Sequence, residues 1–473
     1  MVTRFIGMVL ALSLTLPFIA SASDTADALT RQLELNRARY GIAGQALVVV
    51  HNGRVIFRGA DGEANLQSHE RVTTRHVFPA YSLAKLFVST LIMQLVERGE
   101  VDLDAPASRY LPALPPRWQA ISVRDLLDHT SGLPEYFDDR PGAVLTRDSF
   151  APDAPALFAA LADTPLQFVP GTESRYTQTN YVVLAELLAA HYGKPYPQIA
   201  EERIIRKLGL RHTWLGRDRL PKEGVVASYV GKNGRLAPDP AVAWPRYAYG
   251  HAELYCTPQD LTRFLQAVTA GKFVRKSTLQ QLWNARTLPN GQRAWFAHGW
   301  EYAEGDGDRQ VGHDGGARDR VRIVFDDLRD GDVYTFIYLA NGSARNVWTR
   351  TLVNSAMAVV APRRFPTEAL LEALVTYALR TPSEGDAQRE AESIRAGSAL
   401  DAAALERIIN NTGYALRENL GTAAALRVFE LNTTLFPQSA NAWDSLAEAH
   451  RANGDADKAQ PLYDKARQLS GAR

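Results

Sequence analysis

Strand-forming segments cluster at two places far apart in this chain, and mostly helical sequence lies between them. Near the start, Gln45 to Val50 is β-rich, and His51-Asn52-Gly53 leads into Arg54 to Gly59. Asn-Gly between two such runs signals a hairpin, because the tight turn needs positive φ at both central residues. A second pair, Val321 to Phe325 and Val333 to Leu339, is joined by a turn rich in Asp and Gly. Leu83 to Arg98, Asn180 to Tyr192 and Gln259 to Ala270 read as helices, and a short amphipathic stretch runs from Asp24 to Tyr40. One antiparallel sheet built from early and late hairpins around a helical middle predicts an α+β fold.

At 473 residues the chain exceeds one ordinary core, since domains usually run to about 100–200 residues. Its end also differs in kind. From about Pro366 strand signals stop and Ala, Leu, Glu and Arg dominate, so a helical module at 366–473 is expected behind a domain at 23–365. Gly413, Ala425, Phe429 and Pro437 recur 34 residues later as Ala447, Ala459, Tyr463 and Gly471, with Ile409 where the second copy has Trp443. That period, with small residues at the helix crossings, resembles a tetratricopeptide repeat. Two copies can hardly bury a core alone, so packing on the front domain is the expected role, with a protein partner as the other.

Arg4 precedes an apolar run from Phe5 to Ala20, and Ala20-Ser21-Ala22 has the small-residue pattern of a cleavage site. Residues 1–22 therefore read as a signal peptide of an exported, periplasmic or secreted protein, the alternative being an uncleaved anchor. No other stretch is long and apolar enough to span a bilayer. Cys256 stands alone, so no intramolecular disulfide is expected. With 53 basic against 52 acidic residues and no long basic run, nucleic acid is not an expected partner.

Ser82-Leu83-Ala84-Lys85 opens a helix whose Leu83, Phe87, Leu91 and Leu95 recur at helical spacing. Residues three apart share a helix face. A serine hydroxyl needs a neighbour to accept its proton, and a lysine does so only if burial lowers its pKa. Alone, the tetrapeptide fits a capping serine and a surface lysine better than a catalytic pair. Farther on, Tyr176-Thr177-Gln178-Thr179-Asn180 leads into another helix. Tyr176 can serve there as a phenolate-like base or as a proton relay. Gly312-His313-Asp314-Gly315-Gly316 precedes the strand from Val321, and its glycines allow a substrate to lie against a strand edge beside an oxyanion hole.

In this order and context the three segments resemble the serine β-lactamase and penicillin-recognising family, in particular its class C, esterase and D-aminopeptidase branch. That family carries Ser-x-x-Lys, then Tyr-x-Asn, then Lys-Thr-Gly or His-x-Gly. Flanking matches are Val101-Asp102-Leu103-Asp104-Ala105-Pro106, the segment from Ser122 to Leu133, and Pro170-Gly171-Thr172; the likeness spans roughly Gly44 to Ala340. It implies a β-lactamase/transpeptidase-like domain, an antiparallel sheet flanked by helices with a helical subdomain. It also implies Ser82 as nucleophile, Lys85 and Tyr176 sharing the proton traffic, and an oxyanion hole from the N–H groups of Ser82 and of the strand near Gly316. Substrate contacts would come from Gln178, Asn180, His313, Gly315 and Gly316. Two departures stand out: Gln178 replaces the motif Asn, with Asn180 as a substitute amide, and His313 replaces the Lys of penicillin-directed members. A neutral imidazole attracts a carboxylate less than an ammonium does, which ranks esters and peptides above β-lactams unless Arg318 or Arg320 supplies the cation.

Cofactor and metal are expected to be none. No dinucleotide or phosphate-loop fingerprint occurs, and His69-Glu70 lacks a second histidine because Thr73 fills that place. No Gly-x-Ser-x-Gly elbow occurs either, and His129 in His129-Thr130-Ser131-Gly132 reads as part of a turn. The expected reaction is cleavage of a small ester, peptide or β-lactam-like substrate through acyl-Ser82. The rival readings are a non-catalytic penicillin-recognising sensor and a partner-binding protein acting through its tail.

Overall fold

The computed structural model describes residues 22–471 except 139, 141–143, 241, 306, 317 and 399. The expected leader at 1–22 lies outside the described residues save Ala22, where the first helix, Ala22–Tyr40, begins.

Strands follow in chain order as β1 (Gly44–His51), β2 (Arg54–Asn65), β3 (Glu70–Arg71), β4 (Phe78–Tyr81), β5 (Thr213–Leu215), β6 (Tyr229–Lys232), β7 (Arg235–Pro238), β8 (Leu254–Cys256), β9 (Phe296–Ala297), β10 (Trp300–Gly305), β11 (Asp308–Gly315), β12 (Asp319–Phe325) and β13 (Val333–Ala340). The main sheet has the order β3-β2-β1-β13-β12-β11-β10-β9, and β4-β8-β5 and β6-β7 form smaller sheets. Both expected hairpins are present. Asn52 and Gly53 have φ of 46° and 76°, the two positive values that a tight turn between right-twisted strands requires. The early and late pairs join where β1 runs antiparallel to β13, from Gln45 opposite Ala340 to His51 opposite Tyr334.

Side chains alternate across a strand, and here alternation divides β1 between two cores. Ala46, Val48 and Val50 enter the large core with the central helices. Leu47 and Val49 enter a second core with Leu29, Leu33, Leu352 and Met357. The second core is the underside of the sheet, covered by the helices Ala22–Tyr40 and Thr349–Val360, which Asn36 Nδ2 ties together by donating to Ser355 Oγ (2.9 Å). Helices on both faces explain why β1 reads as a continuous apolar run.

The helix Ala84–Glu97 is buried around its whole circumference over its first ten residues, as expected of an element at the centre of a large core. Ahead of the short helix Val123–Leu127, Ser122 Oγ accepts from the Asp125 N–H (3.0 Å) while Asp125 returns to the Ser122 N–H. This capping box fixes the segment that continues into His129 and Ser131. Ser122→Ala is expected to cost about 1 kcal/mol, the usual value of such a cap, read as a lowered midpoint in urea unfolding.

Beyond 365 the described residues are helical: Pro366–Leu379, Asp386–Gly397, Ala402–Asn419, Thr422–Leu435, Ala440–Ala452 and Ala456–Gly471. They share a core of their own around Leu374, Ile409, Val428 and Phe429. A side chain at Gly413 would begin 2.5 Å from the Phe429 ring, so the helices cross there only because position 413 is small. The Arg39 guanidinium, from the first helix, pairs with Glu372 and donates to Thr376 Oγ1 (3.2 Å) across to this module.

Candidate active site

Ser82 lies in the bend between β4 and the helix Ala84–Glu97, where the Leu83 N–H donates to the Ala80 carbonyl (3.0 Å) and the Lys85 N–H to that of Ser82 (3.0 Å). The preceding residue, Tyr81, has φ of 47°, a left-handed conformation that costs a non-glycine residue about 1–3 kcal/mol. Its ring is held by Arg318, whose Nη1 donates to the Tyr81 hydroxyl (2.7 Å). The bend leaves Ser82 partly open to solvent.

Two side chains, one a helical turn away and one from a distant segment, meet at this serine. Tyr176 OH donates to Ser82 Oγ at 2.9 Å, and Lys85 Nζ lies 3.1 Å from the same oxygen. Lys85 is fully buried, with the rings of Tyr176 and Tyr181 5.0 and 5.4 Å from its nitrogen. Loss of water drives its pKa well below the ordinary lysine value, against a smaller opposing pull from Glu135. A neutral amine has two N–H bonds and one lone pair. Two acceptors stand ready for the N–H bonds, Gln178 Oε1 at 2.6 Å and the His251 carbonyl at 3.2 Å. The lone pair is then left for the Ser82 O–H.

Tyr176 does not behave as the phenolate considered from sequence. Burial pushes its pKa above the ordinary value, more than its hydrogen bonds to Ser82 and Gln178 lower it, so it keeps its proton and stands as a donor. Gln178 faces Lys85 rather than open solvent, and its N–H donates to Glu135 Oε2 (2.9 Å). Asn180 is absent from the cleft: it is fully buried, receives Ser131 Oγ on its Oδ1 (2.6 Å) and directs Nδ2 to His129 Nδ1 (3.1 Å). Its amide is used inside the protein, which corrects its assignment to substrate. His129 is the turn-holding residue expected, with φ of 55° and Nδ1 also accepting from the Thr177 N–H (3.2 Å).

His313 sits within a strand of its own, β11, and pairs opposite Val321. Its Nδ1 donates to the Asp314 carbonyl (2.7 Å), and burial, helped by Lys85, pushes its pKa down to about 3. It is an uncharged imidazole near neutral pH. Arg318 and Arg320 do not replace the missing cation freely, because Arg318 pairs with Asp239 and Arg320 with Asp314 (2.6 Å). Gly315 and Gly316 come against the serine bend: a Cβ at 315 would lie 2.6 Å from the Ala80 carbonyl, and one at 316 would lie 2.7 Å from the Tyr81 ring. The end of β11 thus borders Ser82, and only glycine permits that approach.

Two participants escaped the sequence reading. Glu135 accepts the N–H groups of Tyr136 and Gln178 (both 2.9 Å) and so holds the turn that presents Tyr176. His251 contributes a backbone carbonyl to Lys85 while its ring meets Tyr136 OH (2.9 Å). A carbonyl carries no residue-type signal, and Glu135 lies in a stretch legible only as a loop. Among the described residues no cluster of His, Cys, Asp or Glu is arranged to hold a metal, and no helix is long and apolar enough to cross a membrane.

A two-faced antiparallel sheet, with a serine at the start of a buried helix and a desolvated lysine one turn on, defines the class. Residues 26–365 match the Beta-lactamase family, and the chain belongs to it. It is 30% identical over 245 residues to the D-alanyl-D-alanine-carboxypeptidase/endopeptidase AmpH of Escherichia coli (strain K12), covering 50% of this chain and 60% of that protein. It is 26% identical over 356 residues to penicillin-binding protein 4 of Amycolatopsis lactamdurans, covering 70% of this chain and 89% of that one. The solved structure of the D-amino acid amidase from Ochrobactrum anthropi SV3 complexed with D-phenylalanine shares the fold, with a TM-score of 0.58 at 24% identity over 71% of this chain and 99% of the amidase.

Proposed function

We propose that the chain is a serine hydrolase that cleaves an ester or amide through an acyl-Ser82 intermediate. The observation that carries this is the convergence of Tyr176 OH (2.9 Å) and the desolvated Lys85 Nζ (3.1 Å) on Ser82 Oγ. Lys85 takes the hydroxyl proton as Oγ bonds to the substrate carbonyl carbon. The oxyanion that forms is met by the N–H groups of Ser82 and of the strand end near Gly316. As the bond to the leaving group breaks, that group takes a proton from Tyr176, which Lys85 restores. Water then gives a proton to Lys85, attacks the acyl carbon and releases Ser82 Oγ, which regains its hydrogen.

The uncharged His313 and the acid-paired Arg318 and Arg320 favour an ester or an uncharged peptide over a penicillin, whose carboxylate needs a cation. Gln178 acts here through Lys85, while Gly315 and Gly316 give the substrate its strand edge. The leader at 1–22 belongs to this reading as an export signal, and the helical module at 366–473 as a buttress held by Arg39 and Glu372.

A fluorophosphonate probe added to the full chain is expected to label one residue, Ser82, located by mass spectrometry. Ser82→Ala should abolish the label, and an adduct elsewhere would sink the assignment. Sustained turnover of a nitrophenyl ester separates an enzyme from a sensor, which acylates once and stops.

A further inference from the structure

His129 carries two unfavourable features that holding a turn does not require. Its φ of 55° is left-handed, a conformation that side chains disfavour and that persists only where the surroundings impose it. Its imidazole is fully buried, and its Nε2 has no hydrogen-bond partner among the described residues. Nδ1 accepts two N–H groups, from Thr177 (3.2 Å) and from the Asn180 amide (3.1 Å). It is therefore the unprotonated nitrogen, and the proton of the neutral ring sits on Nε2 without an acceptor, which is costly in a dry interior. Burial, and after it Lys85 and His313, hold the ring's pKa well below the ordinary value, so the ring is uncharged.

What this residue holds is Tyr176. The backbone N–H groups on either side of the tyrosine both end on the one histidine: that of Arg175 donates to the His129 carbonyl (2.8 Å) and that of Thr177 to its Nδ1 (3.2 Å). The imidazole also lies against the Tyr176 ring, with centroids 4.4 Å apart and planes 35° from parallel. Phe296 touches both, its ring 4.7 Å from that of His129 and 5.8 Å from that of Tyr176. The histidine is fixed in turn. Ser131 Oγ accepts the Leu133 N–H (3.1 Å) and donates to Asn180 Oδ1 (2.6 Å), which leaves Asn180 Nδ2 for His129. Asn180 stands in the first turn of the helix Thr179–Tyr192, so these bonds tie the bend at His129 to the helix that Tyr176 precedes. A proton donor works only within hydrogen-bond reach of its target, and Tyr176 OH meets Ser82 Oγ at 2.9 Å from a segment secured in this way.

We infer that His129 is the positioning residue for Tyr176: it clamps the backbone on both sides of the tyrosine and backs its ring, so that the phenol stays aimed at Ser82 Oγ and the leaving group. This rests on the reading of Tyr176 as the donor of the leaving group's proton. His129 acts on the reaction through the tyrosine.

The test uses two esters with one acyl group: 4-nitrophenyl acetate, whose phenolate leaves without a proton, and benzyl acetate, whose alkoxide needs one. His129→Gly tolerates the left-handed backbone and removes both the ring and its acceptor. Its kcat/KM should fall about 10²-fold on benzyl acetate, the scale of a lost general acid, and only about tenfold on nitrophenyl acetate. His129→Asn also tolerates positive φ and returns an acceptor oxygen near the place of Nδ1. It should lose only about tenfold on benzyl acetate and about threefold on nitrophenyl acetate, and it carries the test if His129→Gly fails to fold. In a Tyr176→Phe background neither substitution should lower either rate further, because the two residues act as one unit. Wild-type rates in both variants, equal losses on the two esters, as a general loosening of the fold would give, or the same losses repeated in the Tyr176→Phe background would overturn the proposal. A Tyr176→Phe protein as fast as the wild type refutes the tyrosine mechanism and the clamp with it, and a wild type that cleaves neither ester refutes the hydrolase reading. A slow Tyr176→Phe beside fast His129 variants refutes the clamp alone.

Discussion

Lys85→Met is expected to lower kcat for a nitrophenyl ester by about 10³-fold, within the range ascribed to a positioned general base, and at the same time to make the protein more stable at pH 7. Both effects come from the same burial. An amine without water, held by one amide oxygen and one carbonyl, contributes little to folding, and an apolar side chain of similar volume removes the desolvation cost. The pH dependence identifies the cause. Since the folded-state pKa of Lys85 is depressed below its unfolded value, the unfolded chain binds more protons between the two. Stability of the wild type therefore rises with pH through that window, by about 1.4 kcal/mol per unit for one group. Below the window the full cost of burying the amine is present. Urea unfolding at pH 7 and pH 9 should show this slope in the wild type and a flatter one in Lys85→Met. Lys85→Arg should be as inactive as Lys85→Met, because a guanidinium cannot give up its proton. Wild-type kcat should climb with pH as neutral Lys85 accumulates, and Tyr176, held above its ordinary pKa, should set no alkaline limb in the neutral range. A Lys85→Met protein with the wild-type slope and rate would show that the amine is charged and idle.

How far the sequence disclosed this site follows from what is local and what is not. Ser82 and Lys85 share one helix turn, and Asn52-Gly53 needs only its own dihedral angles, so both could be read directly. That the two hairpins share one sheet was legible because their apolar faces must be buried somewhere, while the pairing of β1 with β13 came only with the folded chain. The placement of Asn180 was not. Its distance from Tyr176 allows a role in the cleft, and only the folded chain reveals that Ser131 and His129 consume its amide. Likewise Gly312 to Gly316 was read as lying ahead of the strand from Val321. Pairing with β12 makes most of it a strand, as tertiary hydrogen bonding overrides weak β-propensity. Protonation of Tyr176 was a matter of magnitudes: hydrogen bonds to Ser82 and Gln178 favour the phenolate, burial disfavours it, and burial is the larger. The spacing of residues contains no measure of burial.

Gly315→Ala is expected to lower kcat/KM by about 10²-fold, the scale reported for a misplacement of about 1 Å at a reacting group. The backbone at 315 is not left-handed, so the residue is needed for space and not for its dihedral angles. A methyl group there would sit 2.6 Å from the Ala80 carbonyl and 3.2 Å from Asp319 Cβ. That carbonyl accepts the Leu83 N–H, the contact that closes the bend on which Ser82 stands. Relieving the clash moves either β11, with His313 and the glycine edge, or the bend itself, with Tyr81 already in a strained conformation. In both cases Ser82 Oγ and the N–H groups facing the oxyanion lose their common geometry, while Lys85 and Tyr176 keep their chemistry. Fluorophosphonate labelling should therefore slow in parallel with turnover, since both pass through the same tetrahedral arrangement. Gly305→Ala is the matched control: it lies at the end of β10 with nothing within 4 Å of the added carbon, and its rates should equal those of the wild type. Equal rates for the two variants would mean that β11 does not press on the serine bend and that the oxyanion is met by other groups.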